Sequence, residues 1–148
     1  MRDEVIQLEK FRQQIEKEMY DSGSTSDFID RGNPTPQQLK QAKDFLTSQE
    51  KKIAGLRAEF HLLLQKSERA AIQEWVELHK GILQKILSEK STDAHSKTRL
   101  FVAGNTLKEW EKVQAGEMEF VNINWYFLKD YKEEVRNLID KKWWQLWK

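Results

Sequence analysis

The chain predicts an all-α fold: an antiparallel helical bundle of four to five helices, some of them long, in a single domain over residues 1–148. Three observations carry that expectation. Apolar residues recur at spacings of three and four along most of the chain, which places them on one face of a helix. Only 6 Gly and 2 Pro supply turn material. Helix-start signatures stand at Thr35 and Thr106, each with a Gln or Glu three residues later. A chain of this length buries roughly 70% of the surface its unfolded form exposes, enough for one self-sufficient core.

The first helix is expected over about residues 2–20, from the stripe Val5, Leu8, Phe11, Ile15 and Met19, with Asp3 and Glu4 in the turn where the helix dipole favours them. Asp21 to Asp27 is polar and without periodicity, and Arg31-Gly32-Asn33-Pro34 follows, so residues 21–34 read as a polar loop. Thr35-Pro36-Gln37-Gln38 combines a cap, proline at the first helical position and a capping box. Beyond it one stripe runs through Leu39, Ala42, Leu46, Ile53, Leu56, Phe60, Leu63, Trp75, Leu78, Ile82 and Ile86. That register fits either one helix of about fifty residues, roughly 75 Å long, or two helices broken near Lys66-Ser67-Glu68. A break or bend is favoured, because a solitary helix that long buries little.

Residues 91–98 are polar and read as a loop, and Leu100-Phe101-Val102-Ala103 is too brief to assign. Gly104-Asn105 punctuates the chain before Thr106 to Glu109, which opens a short helix through Trp110 and Val113 that Gly116 can terminate. Met118 to Ile123 reads as extended, with few convincing strand partners. A terminal helix is expected from about Asn122, carrying Trp125, Leu128, Tyr131, Val135, Leu138, Ile139 and Leu146. Trp125-Tyr126-Phe127-Leu128 spreads bulky groups over more than half of that helix's circumference, and is expected to form the centre of the core.

Composition narrows function mainly by exclusion. Twenty-five Lys and Arg balance 24 Asp and Glu, so a net charge of +1 provides no field that would draw the molecule to nucleic acid. With no cysteine, disulfides, thiolate zinc sites and cysteine nucleophiles are ruled out. No run approaches the roughly 18 apolar residues of a membrane span, and no signal-peptide stretch follows Met1, which together predict a soluble, cytoplasmic protein. His61, His79 and His95 show no metal-ligand spacing, and are expected on the solvent side or flank of their helices. No Gly-x-Ser-x-Gly elbow or phosphate-binding glycine loop occurs, so catalytic residues, metal ligands and cofactor sites are all expected to be absent. Asp21-Ser22-Gly23-Ser24-Thr25-Ser26 resembles the Asp-Ser-Gly-x-x-Ser phosphodegron read by an F-box ubiquitin ligase, with Ser22 and Ser26 as the modified positions. It departs at Ser24, where that motif prefers an apolar residue, and a serine-rich linker produces such strings easily.

The carboxyl end, residues 141–148, is the most distinctive segment. Trp143, Trp144 and Trp147 stand among Lys141, Lys142 and Lys148. On a continuing helix Trp143 and Leu146 fall near the stripe of Val135 and Ile139, while Trp144 points away from it. The leading expectation is a non-catalytic interaction module that binds another protein, or itself as a homodimer, through Trp143, Trp144, Trp147, Lys141 and Lys142. The first alternative is a peripheral membrane protein whose Trp and Lys tail lies on anionic lipid. The second is an enzyme whose groups converge only in three dimensions, for which contact among His61, His79, Glu74, Glu77 or Asp130 in a cleft would be the sign. Basic and aromatic residues interleave in this helix, but Glu133, Glu134 and Asp140 interrupt any basic stripe and argue against nucleic acid.

Overall fold

The computed structural model describes residues 2–90 and 92–146, with side chains as far as Asp140. Five helices and no strand make up these described residues: α1 (Asp3–Arg31), α2 (Pro36–Lys66), α3 (Arg69–Leu87), α4 (Ala94–Gln114) and α5 (Lys129–Leu146). The helical bundle is as the sequence predicts, and none of its helices is long and apolar enough to cross a membrane.

The α1 helix extends well beyond its expected end. Residues 21–31 are helical, so the loop expected over 21–34 shrinks to the turn at 32–35. Within this polar stretch the Thr25 hydroxyl donates to the Asp21 carbonyl one turn earlier, satisfying the hydroxyl inside the helix. The long α2 packs against α1 and supplies the tertiary support that overrides weak local propensity. The phosphodegron-like string therefore lies in a helix. The turn itself uses Asn33 in the left-handed region at φ 47°, a conformation asparagine tolerates, followed by Pro34.

The capping box at the start of α2 is complete: Gln38 N–H donates to Thr35 Oγ1 at 3.2 Å, and Thr35 N–H donates to Gln38 Oε1 at 3.0 Å. Residues 35–90 form two helices, separated at Ser67 and Glu68, which both take extended backbone. The Ser67 hydroxyl donates to the Leu63 carbonyl at 2.7 Å, closing the end of α2 where neither Gly nor Pro marks a stop.

The start of α4 differs from expectation in two ways. The loop over 91–98 ends at Asp93, whose carboxylate caps α4 by accepting from Ser96 N–H at 2.9 Å. Thr106 does not open a helix; it lies inside α4, where its hydroxyl donates back to the Val102 carbonyl at 2.9 Å. Gly116 does terminate the helix. At φ +77° it lets its own N–H reach the Val113 carbonyl and Glu117 N–H reach the Lys112 carbonyl, the paired bonds of a Schellman end.

Residues 118–128 cross the bundle without forming strand or helix, and α5 begins at Lys129 rather than near Asn122. The aromatic run consequently divides: Leu128 is fully buried and Phe127 packs half-buried against the core, whereas Trp125 is 36% and Tyr126 77% exposed, so the run does not form the core's centre. The centre is instead Trp75 on α3 against Trp110 on α4, edge to face at 4.8 Å, with Phe60, Tyr131 and Leu83 fully buried in the same cluster.

Candidate functional site: a sealed ionic network beside an aromatic cleft

The buried face of α1 is not uniformly apolar. Glu9, Arg12 and Glu16, spaced by three and four residues, lie on it together with Val5, Leu8 and Ile15. The Glu9 carboxylate is fully buried and accepts five hydrogen bonds. Its Oε1 receives Arg12 Nε at 2.9 Å, Trp75 Nε1 at 3.1 Å and His79 Nε2 at 2.7 Å. Its Oε2 receives Arg12 Nη2 at 2.9 Å and Gln13 Nε2 at 2.8 Å. Arg12 Nη1 reaches on to Glu16 Oε2 at 2.7 Å and to the Val121 carbonyl at 2.8 Å. Glu16 also accepts from Ile123 N–H and pairs with Lys132 at the start of α5. Arg12 and Glu16 thus take up a carbonyl and an amide from residues 121–123. This is the physical reason that segment stays extended where the sequence suggests the start of a helix.

His79 sits at the far side of Glu9, and its expectation as a flank residue is overturned: it is fully buried. An ionised Glu9 only accepts, so His79 carries its proton on Nε2 and leaves Nδ1 as an acceptor. Tyr131 O–H donates to that Nδ1 at 2.5 Å, and Trp110 Nε1–H donates to the Tyr131 oxygen at 3.1 Å. The His79 ring also stacks on Trp110 with centroids 4.0 Å apart. His61 and His95 are exposed, as expected. The residues named as a possible convergent cleft are not gathered. His79 contacts Glu9 and Tyr131, Glu74 pairs with Arg2, and Asp130 pairs with Arg99.

Electrostatics follow from this wiring. Burial raises the cost of the Glu9 charge, but Arg12 and His79 outweigh it and hold its carboxyl well below the usual range. Burial pushes His79 below its ordinary value despite Glu9, and raises Tyr131 well above its own. Burial also depresses Lys132, to about 8, against the opposing pull of Glu16. Two carboxylates, one guanidinium, one ammonium and a neutral imidazole leave the network without net charge. Among the described residues no three His, Asp or Glu side chains are gathered closely enough to hold a metal ion.

At Glu16, itself buried, the network backs onto the inner wall of a surface cleft. The cleft, of about 900 Å³, lies between the second half of α1, α4 and residues 122–126. Its walls carry Tyr20, Trp125 and Tyr126 together with Asp27 and Glu109, while Glu16 lies at its inner side. Burial raises the Glu109 carboxyl above its usual value, with Lys112 opposing. A smaller groove of about 410 Å³ shares Glu16, Tyr20 and Trp125 and is lined on its other side by Lys17, Lys132 and Arg136. The Trp125 ring stands between the two, with Lys132 Nζ 2.9 Å from its centroid and Arg136 5.4 Å away. The tail residues Lys141, Lys142, Trp143, Trp144 and Trp147 have side chains outside those described. Sequence reading missed the cleft because it placed Trp125 and Tyr126 in the core. No protein-family model, curated protein or solved structure matches this chain.

Proposed function

We propose that this protein acts by binding another protein or a second copy of itself, without catalysis, and that Trp143, Trp144 and Trp147 with Lys141 and Lys142 form its partner-binding tail. The observation that best supports this reading is the set of aromatic rings left at the surface. Tyr20, Trp125 and Tyr126 ring one cleft at 57%, 36% and 77% exposure, in a fold that has buried Trp75 and Trp110 completely. Soluble chains seldom leave such groups bare without an occupant, and Trp and Tyr dominate the energetics of protein interfaces. The cluster richest in titratable groups is, by contrast, closed: Glu9, Arg12 and His79 are at most 1% exposed, and a substrate has no approach to them.

The test is photo-cross-linking in cells with a photoreactive phenylalanine analogue placed at position 144 of the full chain. Adducts to a protein are expected, and they disappear when residues 141–148 are otherwise disrupted by Trp143→Ala and Trp147→Ala. Adducts to lipid alone would replace this reading with the membrane-surface one. No adduct of either kind would remove the tail from the account.

A further inference from the structure

The cleft and the tail are complementary in chemistry. Asp27 and Glu109 carry carboxylates at its walls, no lysine or arginine lines it, and Met19 and Val102 add apolar floor beside the three aromatic rings. Among the described residues neither Asp27 nor Glu109 is in a salt bridge, and the one cation that acts on Glu109, Lys112, does not line the cleft. Such a site suits an occupant bearing ammonium groups and large flat apolar side chains, which gain cation–π contact with the rings and charge pairing at the rim. Residues 141–148 have that composition: three lysines, three tryptophans, one leucine, one glutamine and no acidic residue.

The tail of the same molecule is badly placed to fill the cleft. Helix α5 runs antiparallel to α1, since Lys132 pairs with Glu16 and, two turns later, Asp140 pairs with Lys10 at 3.6 Å. Asp27 lies seventeen residues beyond Lys10 on the same helix, about 25 Å at 1.5 Å per residue. The α5 helix continues to Leu146, so each further turn leads away from Asp27.

We infer that the carboxyl-terminal segment 141–148 of one copy docks in the cleft formed by Tyr20, Asp27, Glu109, Trp125 and Tyr126 of a second copy. Two copies related by a two-fold axis exchange tails reciprocally, which closes the assembly as a dimer. The inference rests on the binding role proposed for the tail and adds the identity of its partner.

Sedimentation of purified chains tests it, at concentrations up to about 100 µM, where an interaction of even modest affinity is populated. The full chain is expected to dimerise, with the dimer weakening as salt rises. A chain ending at Asp140 and the charge-reversed Asp27→Lys/Glu109→Lys variant are each expected to be monomeric. Mixed together, these two should form a one-to-one complex, because one retains a cleft and the other a tail. The Tyr126 ring is 77% exposed and, among the described residues, meets only the His95 and Phe127 rings, so Tyr126→Ser should stay folded by circular dichroism and weaken the dimer about tenfold. A monomeric full chain, a dimer that survives truncation at Asp140, or a mixture that does not pair would each overturn the inference. If the full chain is monomeric while position 144 cross-links to a different protein, the tail's binding role stands and only the self-docking falls. If no tail-dependent protein adduct forms, both fall.

Discussion

Arg12 is the residue on which the interior depends most. It forks onto Glu9, bridges to Glu16 and holds the Val121 carbonyl, so its removal strands two carboxylates away from water. Arg12→Met should therefore cost about 3–5 kcal/mol in urea unfolding, the range for breaking a buried charge pair. Arg12→Lys should recover little, because an ammonium cannot reproduce the planar fork. Removing only the hydroxyl in Tyr131→Phe leaves His79 Nδ1 and Trp110 Nε1 unpartnered and should cost about 1–3 kcal/mol. Acid should act on the same network. Glu9 is held below its ordinary value of 4.5, so its contribution is complete above that value and fades as pH falls through the folded one. His79 is held below its ordinary 6.5, so below 6.5 the unfolded chain takes up a proton that the fold resists. Both effects have one sign: the urea midpoint should drop steadily from about pH 7 to about pH 4, and His79→Gln should flatten the upper part of that profile. The network was only partly legible beforehand. Glu9, Arg12 and Glu16 share a helix face at readable spacing, but His79 reaches Glu9 from 70 residues away and Tyr131 reaches His79 from 52, and no local pattern encodes that meeting.

At the scale of elements, the ends governed by local chemistry were readable and the ends governed by tertiary contacts were not. The Thr35 box and the Gly116 stop are written in side chains and backbone within four residues, and both stand where the sequence places them. The onset of α5 depends on Arg12 and Glu16 drawing off backbone groups more than a hundred residues away, and Thr106 looks like a cap until the surrounding helix supplies the Val102 carbonyl. Two glycines give opposed predictions that check this account by thermal unfolding. Gly55 lies inside α2 with open space where a Cβ would go, so Gly55→Ala should stabilise by up to about 1 kcal/mol. Gly116 has a left-handed backbone, so Gly116→Ala should destabilise by about 1 kcal/mol although nothing crowds its Cβ. Thr35→Ala should cost about 1 kcal/mol through loss of the cap.

For the whole molecule, the division of labour is between a sealed, neutral ionic lock and a surface furnished with aromatics. The sequence advertised the aromatic tail but hid the cleft, because helical periodicity assigned Trp125 and Tyr126 to a buried face that the extended segment turns outward. Comparing Trp144→Ala with the unaltered chain, by urea unfolding and by sedimentation on the same samples, separates an interface indole from a core one. The Trp144→Ala chain should keep an unfolding free energy within about 0.5 kcal/mol of the original, as for a surface substitution, while losing association. A Trp144→Ala chain destabilised by several kcal/mol, with association unchanged, would contradict the interface role and make that indole part of the core.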